Sequence, residues 1–304
     1  SSDLPVSPKK MIIYLGALIA GLLIPFGIIY IADLLNTKIK SRLDIERLLQ
    51  VPFLGDVPRS ASHEELIGTN SRSSSAEAIR IVRTNLEFML SGAAENKAKT
   101  VFVTSTIPGE GKTFVSVNLA GTIALSGKRV LLIGLDVRNP KLTEYLPVNT
   151  QGVTNYLTKS GTTITDYITK IDNFDNFYAL SSGAIPPNPA ELLMNSKLGE
   201  MFDDLKTQFD YIIVDTAPVG VVTDTVLIAQ NADAFIYVVR ANYLDKRMLR
   251  IPEMFYKDKK LPNMSLVLND TKIMKKGYGY GYGYGYGYGA AEEVLPWYKT
   301  LFKK

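Results

Sequence analysis

Cysteine is absent from this 304-residue chain, so neither a disulfide nor a thiolate metal site can be built from it. Histidine occurs once, at His63, inside the polar run Ser60-Ala-Ser-His-Glu-Glu. A single imidazole removes histidine metal clusters and argues against a histidine-dependent triad, and its polar neighbours predict a solvated surface position. A strong charge of one sign is missing too. Thirty-four Lys and Arg stand against 30 Asp and Glu, a net charge of +4. No long basic run accompanies it, so nucleic acid is not an expected partner. With 46% hydrophobic and 21% charged residues, the composition is that of one sizeable folded domain with additions.

The first addition is apolar. Residues 11–32 read MIIYLGALIAGLLIPFGIIYIA, 22 positions without a charge. At ~1.5 Å per residue this covers the roughly 30 Å hydrocarbon core of a bilayer. A signal peptide would have a shorter apolar core followed by a small-residue cleavage site. Here the run passes into Asp33-Leu-Leu and then a basic segment, so a transmembrane helix is expected over 11–35, after a periplasmic flank at 1–10. Pro25 is tolerated in such a helix and can kink it. Lys9 and Lys10 flank one end; Lys38, Lys40, Arg42 and Arg47 follow the other, a modest bias placing the C-terminal side in the cytoplasm. The chain begins Ser-Ser rather than Met, as a fragment or processed product would.

The second addition is the run GYGYGYGYGYGYG at 277–289. Glycine at alternate positions maximises backbone freedom, and no packed core can use the stretch. Its content is six phenol hydroxyls, Tyr278, Tyr280, Tyr282, Tyr284, Tyr286 and Tyr288. They read either as a low-complexity spacer or as a substrate presented on a disordered tether over 273–304. Residues 290–304, with Trp297 and Phe302, suit an interface or a membrane surface equally.

Between these additions, a juxtamembrane segment at 36–64 carries an expected helix over 42–49 and the prolines Pro52 and Pro58. After a serine-rich patch at 71–75, Ile79, Val82, Leu86 and Met89 recur at helical spacing. From residue 100 the pattern alternates strand, loop and helix, with strands expected at 100–104, 130–134, 211–214, 234–239 and 265–268. Several are continuous apolar runs, as in strands buried on both faces of a parallel sheet. The alternation predicts an α/β domain over 65–272, a doubly wound and mostly parallel sheet.

The strand at 101–104 leads into Ser105-Thr-Ile-Pro-Gly-Glu-Gly-Lys112-Thr113 and then a helix to about residue 126. This is the context of a phosphate-binding P-loop, with Thr106 where the motif's first glycine usually stands. Pro108, Gly109, Glu110, Gly111, Lys112 and Thr113 are the candidate phosphate site. The glycines let backbone N–H groups turn inward, and the helix N-terminus adds partial positive charge. Lys112 would reach the β- and γ-phosphates of ATP, and Thr113 would ligate Mg²⁺. Tyr211-Ile-Ile-Val-Asp215 ends a strand with a carboxylate suited to Mg²⁺. Val130-Leu-Leu-Ile-Gly134-Leu-Asp136-Val-Arg138 brings Asp136 and Arg138 to another strand end. The candidate catalytic residues are Lys112, Asp136, Arg138 and Asp215, and the candidate Mg²⁺ ligands Thr113, Asp136 and Asp215.

Taken together, these residues resemble the bacterial tyrosine kinases (BY-kinases) of the membrane-bound polysaccharide co-polymerase type, over nearly the whole chain. The resemblance rests on Lys112 and Thr113 of the P-loop, Asp215, Leu4-Pro-Val-Ser-Pro before the apolar run, and Gly183-x-Ile-Pro-Pro-Asn-Pro-Ala-Glu-Leu-Leu193, which is similar to a family segment near the nucleotide site. It rests also on Glu77-x-x-Arg80-x-x-Arg83, similar to the family's subunit-interface motif, and on the tyrosine cluster. It implies a P-loop NTPase-type kinase domain at the bacterial inner membrane, facing the cytoplasm. It also implies a ring homo-oligomer, an octamer, in which a neighbour phosphorylates the tail from MgATP. The implied partners are the polysaccharide polymerase and export machinery and a cognate phosphatase.

One departure touches the chemistry. The family pattern Asp-x-Asp-x-Arg reads Gly134-Leu-Asp136-Val-Arg138 here. Either Asp136 carries both acidic tasks, or this is a slow kinase or a nucleotide-binding scaffold for chain-length control. A ParA/MinD-like membrane ATPase is the competing class. Its additional lysine near the start of the P-loop is absent, since Thr106 and Ile107 stand there. Without the resemblance, Glu77, Arg80 and Arg83 would read as intrahelical ion pairs on a solvated face.

Overall fold

The computed structural model describes residues 10–60, 66–68, 71–92 and 98–272. His63, the flank at 1–9 and the six tail tyrosines lie outside them. Helices α1 (Lys10–Leu34) and α2 (Arg42–Glu46) precede strand β1 (Phe53–Pro58) and helix α3 (Ser74–Met89). Then follow β2 (Lys99–Ser105), α4 (Lys112–Ala124), β3 (Val130–Gly134), α5 (Leu142–Tyr145) and α6 (Val153–Thr158). The next elements are β4 (Thr169–Lys170), β5 (Phe177–Leu180), α7 (Pro189–Leu193), α8 (Ser196–Lys206) and β6 (Tyr211–Asp215). The chain continues through α9 (Asp224–Leu227), β7 (Ala234–Arg240), α10 (Arg250–Lys257) and β8 (Met264–Thr271).

The strands form one eight-stranded sheet in the order β1-β8-β7-β2-β6-β3-β5-β4. All neighbours are parallel except β4 and β5. Alternate residues of each strand point to opposite faces, and both faces are covered. Phe102 joins one core with Leu198, Met201, Phe202 and Leu205 of α8, whose spacing makes an apolar stripe. Val101 and Val103 join the other, with Ile79, Val82 and Leu86 of α3 and Leu119 and Ile123 of α4. The doubly wound α/β architecture expected from the alternation is the one observed.

The sheet begins earlier in the chain than residue 65. Segment 36–64, which the sequence sets apart as juxtamembrane, contributes β1, paired in parallel with β8 at the sheet edge. Ile39, Ile45, Leu49, Leu54 and Val57 are all buried. The Asn85 amide on α3 donates to Leu54 O at 2.7 Å, and Leu266 N donates to Pro52 O at 2.8 Å. Pro52, Gly55 and Pro58 disguise the strand as loop, yet a Cβ on Gly55 would come within 3.1 Å of Val82 Cγ2. Close approach of strand to helix, not a turn, explains that glycine. The helix expected over 42–49 is shorter than anticipated and ends at Glu46.

Helix α1 is apolar on every side, with Pro25 inside it. Its Met11–Leu34 stretch is long and apolar enough to cross a membrane, and none of its most apolar window is buried against the rest of the protein. A helix hydrophobic all round needs an apolar environment that the domain does not provide.

Because Leu54 packs inside the core, Leu54→Ala should lower unfolding free energy by about 2–4 kcal/mol. Denaturant titration checks this, and a change near zero would mean that β1 is no part of the cooperative unit.

Candidate functional site

Parallel pairing brings three strand ends to one edge. Asp215, the last residue of β6, lies in register with Val103 of β2 on one side and Gly134 of β3 on the other. Beyond β2 the chain turns through 106–111 and enters α4 at Lys112. Gly109 and Gly111 hold φ of +86° and +89°, where a side chain would be strained. A Cβ on Gly111 would also lie 2.0 Å from the Asn269 amide nitrogen. That amide donates to Glu110 O at 3.0 Å, so the loop is tied to β8 where the glycine leaves room.

Thr106, which replaces the motif's usual first glycine, fits for a reason the sequence conceals. Its side chain is buried toward β7, with Oγ1 3.0 Å from the Tyr237 hydroxyl. Relief has shifted to Gly220, where a Cβ would lie 2.3 Å from Thr106 O. Two side chains hold the outer part of the loop. Arg240 Nη1 donates to Gly109 O at 2.8 Å, and the Tyr243 hydroxyl donates to Pro108 O at 2.9 Å.

Inside the loop, the Lys112 ammonium lies between two buried carboxylates. It donates to Asp136 Oδ2 at 2.8 Å and stands 3.7 Å from Asp215 Oδ1. Burial works against the Lys112 charge, but Asp215 and Asp136 outweigh it and raise its pKa, so the ammonium persists. Burial raises the Asp215 pKa, opposed by Lys112 and by the Thr113 hydroxyl, which donates to Asp215 Oδ2 at 2.7 Å. Asp136 Oδ1 accepts from Asn139 N at 3.0 Å, which fixes the turn after β3.

The cleft above these groups has a volume of about 400 Å³. Pro108, Gly109, Gly111, Lys112 and Thr113 line it, together with Asp136 and Arg138. Of the sequence-chosen site, Glu110 and Asp215 are absent from its wall. Glu110 is fully buried; its Oε2 accepts from Ile107 N at 2.8 Å and its Oε1 from Arg240 N at 3.3 Å. It therefore shapes the loop from behind. The far wall carries Arg59, Arg240, Asn269 and Asp270, which the sequence reading missed. Asp270 of β8 accepts from Arg59 Nε at 2.6 Å and from Arg240 Nε at 2.9 Å, joining the end of edge strand β1 and the end of β7 beside the cleft. No residue of 183–193 lines the cavity, although the resemblance implies a place near the nucleotide site for that segment; α7 packs on α9 instead.

Two sets of groups fit a nucleoside triphosphate with a divalent cation. Lys112 and the N-terminal end of α4 suit phosphate oxygens. The Thr113 hydroxyl with the Asp136 and Asp215 carboxylates forms a hard oxygen set of the kind Mg²⁺ takes with substrate phosphates. No cluster of three metal-binding His, Cys, Asp or Glu side chains occurs among the described residues.

At Gly134 a Cβ would lie 3.3 Å from Leu142 Cδ2 and 3.5 Å from Ser182 N. The buried Leu142 side chain thus packs where an acidic side chain would begin. On α3, Glu77 and Arg80 form an intrahelical ion pair, and Arg80 Nη2 donates to Ser71 O at 2.8 Å. Arg83 Nη1 donates to Thr122 O at 3.2 Å and stands 3.7 Å from Glu87. These contacts occupy the three residues without reaching the cleft.

A family model described as an AAA domain matches residues 98–249. A Streptococcus pneumoniae (serotype 4) protein named tyrosine-protein kinase CpsD is 36% identical over 195 residues, covering 64% of this chain and 84% of the relative. The Acinetobacter johnsonii tyrosine-protein kinase ptk is 30% identical over 287 residues, covering 90% of this chain. The chain spans 39% of that longer relative. The solved kinase domain of the Escherichia coli tyrosine kinase ETK superposes with a TM-score of 0.68 at 25% identity, over 80% of this chain and all of that one.

Burial raises the Glu110 carboxyl from 4.5 to about 7, against its backbone hydrogen bonds. Protonation is therefore easier in the folded state, and the contribution of Glu110 to stability is full below about pH 4.5 and is lost as pH rises through about 7. Glu110→Gln should flatten that decline. The melting-temperature gap between variant and wild type is expected to move in favour of the variant across this window; a constant gap would contradict the burial effect.

Proposed function

This chain belongs to the bacterial tyrosine-protein kinase family, and we propose that it is an ATP-dependent protein-tyrosine kinase whose acceptors are its own tail tyrosines, Tyr278, Tyr280, Tyr282, Tyr284, Tyr286 and Tyr288. One observation carries the reading: the Lys112 ammonium sits between Asp136 and Asp215 at the start of α4, behind the glycine-bearing loop 106–111. The six acceptors lie outside the described residues.

Thr113, Asp136 and Asp215 would hold Mg²⁺, which when bound with ATP neutralises charge building on the β- and γ-phosphates. Lys112 exchanges its carboxylate contacts for phosphate oxygens, a trade of one set of charged hydrogen bonds for another. That exchange frees Asp136 Oδ2 to orient the acceptor phenol and take its proton. The tyrosine oxygen forms the new bond to the γ-phosphorus, the bond to the ADP oxygen breaks, and Arg138 stabilises charge on the transferred group. With Leu142 packed beside Gly134, Asp136 performs both acidic tasks. The same packing supports a slow kinase, or a nucleotide-holding scaffold, as the second reading.

Acceptor transfer in trans fits a ring of subunits meeting through α3. Glu77, Ile81, Thr84 and Phe88 follow one another at helical spacing, and Phe88 is 82% exposed. An exposed phenylalanine on a helix with a charged rim suits a subunit contact, and an octamer is the proposed size. Each phosphorylated tyrosine adds roughly −1.5 to −2 charges, so six add roughly −9 to −12 and favour dissociation. With α1 crossing the inner membrane, the domain faces cytoplasmic ATP and acts on polysaccharide polymerisation and export. A cognate phosphatase completes the cycle.

Mass spectrometry of the tail after incubation with MgATP should show tyrosine phosphates in the wild type and none in Lys112→Met. Labelling of the pure variant would refute the site. Reversing charge at Arg80 and Arg83 should leave the domain folded and monomeric by sedimentation; persistent rings would remove α3 from the interface.

A further inference from the structure

Arg138 reaches the cleft from the loop after β3, and its side chain is 42% exposed there. A half-exposed arginine has many rotamers, and holding one geometry costs conformational entropy. Here its orientation is set from behind by Asp224, the first residue of α9. Arg138 Nε donates to Asp224 Oδ2 at 2.6 Å, and Nη2 donates to Oδ1 at 3.0 Å. The fork of the guanidinium matches the two carboxylate oxygens, which fixes its plane as well as its position.

Asp224 is buried and is no part of the cleft wall. Among the described residues Arg138 is the partner of both oxygens. A buried carboxylate so committed to a half-exposed cation is well suited to aim that cation. The Nη1 donors are left over and can meet a phosphoryl group. Behind the pair, Thr225 Oγ1 donates to Ala217 O at 2.6 Å, which ties α9 to the segment leaving Asp215. The aspartate that steers the arginine is thereby built on the same chain segment as the metal-site carboxylate.

We propose that Asp224 is the positioning residue of the phosphoryl-transfer site, holding the Arg138 guanidinium toward the transferred phosphoryl group. The proposal rests on the kinase reading above, and it adds a residue that touches neither substrate. Asp224 acts on the transition state through Arg138, so its loss lowers kcat while nucleotide affinity, which rests on the P-loop, stays. A merely structural ion pair would lower thermal stability and affect both quantities together.

The test uses the full chain in four forms: wild type, Asp224→Asn, Arg138→Lys and the double variant. Asp224→Asn keeps the shape and one acceptor, and Arg138→Lys keeps the charge but loses the fork. Tail phosphorylation and ATP hydrolysis are both measured, with ATP affinity by titration calorimetry and melting temperature alongside. The expected result is a kcat about 10–100-fold lower in Asp224→Asn, with ATP affinity changed less than about threefold. The double variant should be no slower than the slower single one, because residues acting as a unit are not additive. Full kcat in Asp224→Asn, equal losses in kcat and affinity, or additive losses in the double variant would each overturn the proposal while leaving the kinase reading intact. A wild type that transfers phosphate to neither tyrosine nor water would overturn the kinase reading and this inference with it.

Discussion

A buried ammonium between two buried carboxylates is the constraint on which the centre of this molecule depends. Each of these charges would be costly away from water if unpaired. The pairing of Lys112 with Asp136 and Asp215 exists because β2, β6 and β3 run parallel and in register. It also requires the loop after β2 to turn tightly enough to start α4 at Lys112. A slip of one residue in β6 would send the Asp215 carboxylate to the opposite face of the sheet. The Lys112 charge would then lose one of its two buried counter-charges. Fold and site are in this sense one problem, solved by the same register.

That linkage explains which parts were legible in the sequence. The segments VFVTS, VLLIG, YIIVD and AFIYVVR announce themselves as doubly buried strands, and each chemical residue sits where such a strand stops. Lys112, Thr113, Asp136 and Asp215 could therefore be placed together before any coordinates. Strand β1 could not, because Pro52, Gly55 and Pro58 carry loop chemistry and its burial is decided by α3. Strand β5 has only the four residues FYAL, too short for a period to emerge. The partnership of Arg138 with Asp224 spans 86 positions and leaves no local trace. An aspartate opening a short helix looks like any other first-turn acid.

The departures from the expected motifs are also packing statements. Thr106 stands where a glycine is usual, and the space it needs is vacated at Gly220. Gly134 stands where an acid is usual, and Leu142 has moved in. In both places the sequence change is matched by a neighbour, so neither is an isolated loss. The outer rim follows the same logic: Arg240 and Tyr243, stacked 5.0 Å apart, reach back to the carbonyls of Gly109 and Pro108. The loop that would hold phosphates is braced from the sheet edge by side chains remote in sequence.

The pairing of β1 with β8 sets a length scale. Thr271 ends β8 beside Pro58, one residue after the cleft-lining Asp270. Tyr278 is seven residues further on, so in any conformation it lies within about 25 Å of that rim. Tyr288, 17 residues on, lies within about 60 Å. Chain length alone therefore grades the six tyrosines by their greatest reach from the end of β8. For any neighbouring subunit, the separation between mouths decides which of the six hydroxyls can arrive, and at what effective concentration.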